Sequence, residues 1–279
     1  MRIVVKIGGT LLETAEQRVR IAAGLARQFK EGHQILVVHG GGKQLTRYLE
    51  RAGIVTEFVN GLRVTTAEAI DGVVKVLAGT VNHELLAAFH RVGVPAVGIS
   101  GIDGGCLVAE KLRGENGEDW GFVGNIVRSD PHVWEVLLAG GLLPLMACLA
   151  VGEQGEIFNV NADQAAVACA AGFHADCLIF LTDVDGVRDQ QGRIAHHLES
   201  GAIPALLESG AVTGGMLAKL NAIQEALAQG IERVHICNGQ KDGSLENSIL
   251  VCRSSSPENS SDQTAGTTVF AQKEIASKI

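Results

Sequence analysis

Apolar positions along the chain follow two periods. Short continuous apolar runs at Ile3–Ile7, Ile35–Val38, Ala96–Ile99, Leu143–Ala150, Leu178–Thr182 and Val234–Cys237 read as strands buried on both faces. Between them the period changes to that of a helix. Ala15–Phe29 places Val19, Ala22, Ala23, Leu25 and Ala26 on one face, and Ile70, Val73, Val74, Leu77, Val81, Leu85, Leu86 and Phe89 form a longer stripe. Thr65 followed by Glu68 has capping-box spacing and is expected to open that long helix. Shorter helices are expected at Val133–Leu138, Asn161–Ala171, Ile203–Leu207 and Met216–Gln229, with extended chain at Cys106–Lys111, Glu156–Asn159 and Thr267–Ala271. Leu112–Gly121 reads as a polar hairpin-like excursion and Ser254–Gly266 as a solvated loop. No internal repeat is present. Strands that alternate with helices and end in Gly, Asn or Asp predict an α/β fold whose mainly parallel sheet binds ligands above its carboxyl edge, with a second lobe beginning near Leu178.

Composition narrows the class. The 279 residues are 46% apolar but only 4% aromatic, so the core must be aliphatic, as suits parallel strands covered on both faces. A formal net charge of −8 argues against a nucleic-acid or anionic-membrane partner, so any phosphate bound is held locally. Cys106, Cys148, Cys169, Cys177, Cys237 and Cys252 are scattered, with no C-x-x-C pair, and are expected to be reduced, buried and small. No apolar run is long enough for a signal peptide or a membrane span, and a cytoplasmic protein is expected.

Candidate chemistry lies at the strand ends. Val37–Val38–His39–Gly40–Gly41–Gly42–Lys43 reads as a buried strand end, a glycine loop and the start of a helix through Leu45, Tyr48 and Leu49. Such a junction aims backbone N–H groups and a helix dipole at whatever lies above the strand, and bare glycines let an anion approach. Glycines also serve tight turns, so the loop has to be weighed with its neighbours. Lys6 precedes Gly8–Gly9 and can set a point charge against a phosphate, or lie on the surface. Asn159–Val160–Asn161–Ala162–Asp163–Gln164 gathers polar groups at a helix start; one asparagine can cap the helix, which leaves the rest for a polar ligand and a lysine or cation. Gly214–Gly215–Met216–Leu217–Ala218–Lys219 is a second bare helix start, and its lysine opposes the helix dipole unless an anion lies between. Asp183–Val184–Asp185–Gly186 lacks EF-hand spacing and reads as a turn that meets a nucleotide.

Rival chemistries lack their parts. The run His39–Gly40–Gly41–Gly42 is like the oxyanion loop of esterases, but no G-x-S-x-G exists, and Gly98–Ile99–Ser100–Gly101–Ile102 fails at its last position. Gln44 follows Lys43, so there is no Walker A, and Gly8–Gly9–Thr10 does not supply a Rossmann fingerprint. No His or Cys cluster has metal-ligand spacing.

Lys6–Ile7–Gly8–Gly9, His39–Gly40–Gly41–Gly42, Asn60–Gly61–Leu62–Arg63–Val64–Thr65, Asn159–Val160–Asn161–Ala162–Asp163–Gln164 and Gly215–Met216–Leu217–Ala218–Lys219 occur in this order. Together they resemble the acetylglutamate kinases of the amino-acid kinase family, from about Ile3 to Cys237, with Gly266–Phe270 like the family's last strand. The resemblance implies an open, mainly parallel αβα sandwich, with an acceptor lobe over about residues 1–173 and a nucleotide lobe over about 174–279. It implies transfer of the γ-phosphoryl group of MgATP to the side-chain carboxylate of N-acetyl-L-glutamate, the second step of arginine synthesis. Lys6 and Lys219 would flank the phosphoryl group, Asp163 would hold both lysines, and Gly9 and Gly41 would donate N–H bonds, with Gly8 beside them. Arg63 and Asn159 would hold the acceptor under Gly41–Gly42, while Asp183, Val184, Asp185, Gly186, Val187 and Gly214 would contact the nucleotide.

The chain opens two residues before its first strand, whereas arginine-inhibited members carry an extra N-terminal helix that links dimers into hexamers. An arginine-insensitive homodimer joined through the Ala67–Arg91 helix is therefore expected. Ser254–Gly266 is longer than the family's loop. A kinase for another N-acylated acidic amino acid, or an idle nucleotide-binding regulator, is the alternative; the pair of lysines speaks against the latter.

Overall fold

The computed structural model describes residues 1–114, 116–189, 191–208, 212, 214–253 and 266–271. In chain order it contains β1 (Arg2–Ile7), α1 (Ala15–Lys30), β2 (Gln34–His39), α2 (Gly42–Arg51), β3 (Phe58–Val59) and β4 (Leu62–Arg63). The long helix follows as α3 (Ala67–Val74), a π-helical segment Lys75–Val81 and α4 (Asn82–Arg91). Then come β5 (Ala96–Ser100), β6 (Leu107–Arg113), β7 (Asp119–Ser129), α5 (His132–Ala139), β8 (Leu143–Ala147), β9 (Leu149–Val151), β10 (Ile157–Val160) and α6 (Ala162–Gly172). The last part is β11 (Cys177–Thr182), β12 (His197–Glu199), α7 (Ile203–Glu208), α8 (Gly215–Ala228), β13 (Arg233–Asn238), α9 (Ser244–Arg253) and β14 (Thr267–Phe270).

Eight strands form one sheet in the order β12-β14-β13-β11-β1-β2-β8-β5, parallel except where β14 runs against β13. Ile3, Val4, Val5 and Ile7 of β1 are fully buried, as are Ile35 to Val38 of β2 and Leu178 to Phe180 of β11. Covering both faces of these strands with helices is what their unbroken apolar runs require. The register decides where the site lies. Ile7 stands opposite His39 on one side and Leu181 on the other, and Leu181 stands opposite Cys237. The exits of β2, β1, β11 and β13 are therefore level, and the chain winds away from β1 in both directions, which opens a crevice there. A separate small sheet, β10-β7-β6-β9, closes on itself beside this edge.

Several expectations are corrected. Thr66, not Thr65, caps the long helix, accepting from the Ala69 N–H, because Thr65 is fully buried and bonded elsewhere. The apolar run Leu143–Ala150 is two strands: β8 pairs with β2 and β5, and beyond Cys148 the chain changes sheet to pair with β10. Both halves are buried, so hydrophobicity carries no mark of the break. The polar excursion Leu112–Gly121 is hairpin-like as expected, Arg113 standing opposite Asp119 where β6 turns into β7. Cys177 and Cys252 form a disulfide, with Cα atoms 6.1 Å apart, because α9 lays its last turn against the start of β11; Cys106, Cys148, Cys169 and Cys237 are free and buried. The Ser254–Gly266 loop lies outside the described residues apart from Gly266. Among the described residues no helix is long and apolar enough to cross a membrane.

Candidate active site

Three features converge at the carboxyl edge beside β1. Asp163, in the first turn of α6, lies between two ammonium groups: Lys6 Nζ is 2.6 Å from Oδ1 and Lys219 Nζ is 3.3 Å from Oδ2. The carboxylate is 6% exposed and Lys6 8% exposed. Burial alone would raise the Asp163 carboxyl, but the charges of Lys6 and then Lys219 outweigh it and hold the group below the usual carboxylate range. Two positive charges against one negative leave a net positive centre. The misfit of a lysine near the start of α8 is resolved, since Asp163 is the anion that faces it.

The second feature is a pair of helix starts without side-chain caps. Asn161 caps α6, its Oδ1 accepting from the N–H groups of Asp163 and Gln164 at 2.8 and 3.2 Å. By contrast α2 begins at Gly41 and α8 at Gly214, neither with a side-chain cap, and neither first turn carries an acidic residue. Among the described residues no side chain takes their first N–H groups, which are left for another acceptor, although the Leu217 N–H turns back to the Gly214 carbonyl. Gly9 packs against this loop so closely that a Cβ there would stand 3.3 Å from the Gly42 nitrogen. A Cβ at Gly41 would come 2.8 Å from Leu77 and 2.9 Å from Val81, both on the π-helical segment. Around Gly42 nothing lies within 4 Å of an added Cβ, so the loop is braced below and open above.

The third feature is the Arg63 pocket. Arg63 ends the β3–β4 hairpin and is 7% exposed. Its guanidinium donates to Thr56 Oγ1 (2.6 Å), Thr46 Oγ1 (2.5 Å) and the Gly42 carbonyl (3.3 Å), and lies 4.5 Å over the Phe58 ring. All of these acceptors are neutral, and Arg63 makes no ion pair among the described residues, so only the field of the more distant Glu50 opposes its charge. Such a group is poised to take a carboxylate. Asn159 Nδ2 donates to Thr65 Oγ1 (3.0 Å), which donates to the Arg63 carbonyl (2.9 Å), so Thr65 joins the two predicted binding residues rather than capping a helix. Gly40, Gly42, Phe58, Arg63, Asn159 and Ala162 line one pocket of about 150 Å³. Cys148 also lines it; burial pushes its thiol up to about 11, which keeps it neutral beside Lys6. Thr46, Thr56, Phe58 and Cys148 escaped sequence reading because nothing local distinguishes them from ordinary surface or core residues.

The predicted nucleotide stretch follows β11 on the same edge. Asp185 accepts from Asn238 Nδ2 (2.9 Å) and pairs with Lys241 (2.8 Å), fixing the turn against the exit of β13. Gly8 N–H donates to the Leu181 carbonyl (2.8 Å), tying the first glycine loop to this turn. Val184 is exposed, whereas Val187 is fully buried and its N–H donates to Thr267 Oγ1. Among the described residues no trio of His, Cys, Asp or Glu is arranged to hold a metal ion.

The model of the amino acid kinase family matches residues 1–238. Over 246 residues the chain is 48% identical to an acetylglutamate kinase of Solibacter usitatus, covering 88% of this chain and 94% of that protein. It is 47% identical over 236 residues to an acetylglutamate kinase of Acidobacterium capsulatum, covering 85% and 90%. A solved N-acetylglutamate synthase from Neisseria gonorrhoeae, complexed with coenzyme A and N-acetyl-glutamate, matches 97% of this chain with TM-score 0.84 at 26% identity; this chain spans 59% of that synthase.

Proposed function

Because the chain belongs to the amino acid kinase family and matches acetylglutamate kinases along nearly their whole length, we propose that it transfers the γ-phosphoryl group of ATP to the side-chain carboxylate of N-acetyl-L-glutamate, within arginine biosynthesis. The strongest support is the meeting of Lys6 and Lys219 on Asp163 beside two uncapped helix starts.

The acceptor carboxylate is ionised at neutral pH, so no general base is required. Its oxygen forms a bond to the γ-phosphorus as the bond to the β,γ-bridging oxygen breaks, and ADP leaves with the electron pair. The obstacle is bringing an anion to a polyanion, which positioning and fixed positive charge overcome. Lys6 and Lys219 flank the migrating group, with Asp163 holding both; Gly9 and Gly41 present backbone N–H groups to it, with Gly8 beside them anchored to the Leu181 carbonyl. Gly41 and Gly42 close over the acceptor, with Arg63 on its α-carboxylate and Asn159 at its acetamido end. Asp183, Val184, Asp185 and Gly186 meet the nucleotide near Gly214, with Val187 packed beneath the turn. Mg²⁺ comes with the ATP and neutralises phosphate charge.

Release of ADP should follow addition of N-acetylglutamate and exceed that with the N-succinyl analogue, glutamate or aspartate. Preference for the succinyl compound would move the acceptor, and silence with all four would leave only nucleotide binding. Arg63→Ala should raise the acceptor KM roughly 10- to 100-fold, the worth of a lost charged hydrogen bond, with a smaller change in kcat. An unchanged KM would make Arg63 a brace of the hairpin alone.

We place the reaction in the cytoplasm, and the protein in a homodimer through the Ala67–Arg91 helix. Val74, Ala78 and Leu86 of that helix are half-buried beside Gly98 of β5, the edge strand of the sheet, and a second copy would cover this apolar strip. Light scattering should give twice the chain mass; a monomer would refute the interface.

A further inference from the structure

The glycine loop is held from below by a buried polar pair that the phosphoryl-transfer scheme does not use. His39, the last residue of β2, and Asn82, the first residue of α4, are 0% and 2% exposed. His39 Nδ1 lies 2.9 Å from the Gly40 carbonyl oxygen, and Nε2 lies 2.9 Å from Asn82 Nδ2. A carbonyl can only accept, so the proton sits on Nδ1; Nε2 then accepts from the amide, which also donates to the Leu145 carbonyl at 3.0 Å. The neighbouring sheet is shaped to admit this amide, since a Cβ on Gly98 of β5 would stand 1.8 Å from Asn82 Oδ1. Three elements that are distant in sequence thus share one network under the loop. With Leu77 and Val81 pressing on Gly41, the π-helical segment and the histidine together leave the loop little freedom.

We propose that His39, held by Asn82, is a positioning residue for the transfer: by fixing the Gly40 carbonyl it aims the Gly41 and Gly42 N–H groups at the migrating phosphoryl group. It touches no substrate. Burial lowers its pKa to about 4, so the ring stays neutral at physiological pH and supplies neither charge nor proton. The proposal rests on the reaction assigned above, because only a polyanion arriving over the loop gives the aim of those N–H groups a consequence.

Two substitutions separate the ring's two bonds. Asn in place of His39 carries an N–H where Nδ1 stands and keeps the bond to Gly40; Gln carries its amide where Nε2 stands and loses it. His39→Gln should lower kcat by about 10- to 100-fold, the effect of an ångström-scale misplacement. Both KM values should change by less than about threefold, while His39→Asn retains most of kcat at a similar Tm. Amide exchange in the Gly40–Gln44 segment should quicken in the Gln variant and not in the Asn variant. That readout tests the strut whatever the acceptor is. Wild-type protein without turnover would overturn the reaction assigned above; equal exchange in both variants, or activity lost only in step with Tm, would overturn the positioning role of His39.

Discussion

Lys219→Ala should fold as the wild type does and lose turnover by on the order of 10²–10³, while the KM for the acceptor stays within a few-fold. The fold survives because Asp163 keeps Lys6 at 2.6 Å, so the carboxylate is not stranded, and because Lys219 lies near the start of a helix whose other contacts are apolar, Leu220, Ile223 and Leu227 being buried. Turnover falls because this ammonium group faces charge that is redistributed as the phosphoryl group moves, in a site where little water screens it. On the proposed reading, ground-state binding of the acceptor falls to Arg63 and Asn159 instead. Steady-state kinetics with circular dichroism decide it, and a kcat near the wild-type value in the variant would remove Lys219 from the reaction.

Asp163→Asn should do more damage, to stability as well as rate. It leaves two ammonium groups at a buried site with no anion between them, and removal of one partner from a buried ion pair typically costs about 3–5 kcal/mol. For a chain of this size that corresponds to a fall in Tm of about 5–15 °C. The pH dependence follows from the sign of the shift. Asp163 is held below its ordinary pKa, so its contribution is present above about pH 4 and is lost as pH falls through the lower folded value. The Tm gap between wild type and Asp163→Asn should be level near neutrality and close on acidification, since a protonated aspartate behaves like the amide. Thermal scans from pH 7 downward test both parts; equal Tm values at pH 7 would show that Asp163 is not the brace.

Much of this site is written locally in the chain. Lys6, Gly8–Gly9, His39–Gly42 and Asp183–Gly186 each stand at or just past the end of an apolar run, and parallel strands in register bring the ends of such runs to one edge, where Asn159–Asp163 arrives from the small sheet. Polar residues and glycines immediately after fully buried strands were therefore informative. Contacts between segments with no shared pattern were not. Asn82 lies 43 residues from His39 and sits in a helical stripe where its polarity looks like an interruption. Thr65 and Thr66 both satisfy a cap, and only the buried bond from Asn159 separates them. The α9 helix is hidden in the sequence although Leu245, Ile249 and Cys252 fall on one face, because Ser and Asn between them mimic loop composition.

The account depends on two lysines meeting at one migrating group. A crystal structure of the protein with N-acetylglutamate, MgADP and tetrafluoroaluminate, which imitates the transferring phosphoryl group, tests that directly. The account predicts both ammonium groups within hydrogen-bonding distance of fluoride, with Asp163 still bonded to each lysine and the Gly41 N–H directed at the same ligand. A complex in which Lys6 or Lys219 stays turned away from the fluoride, held only by Asp163, would contradict it.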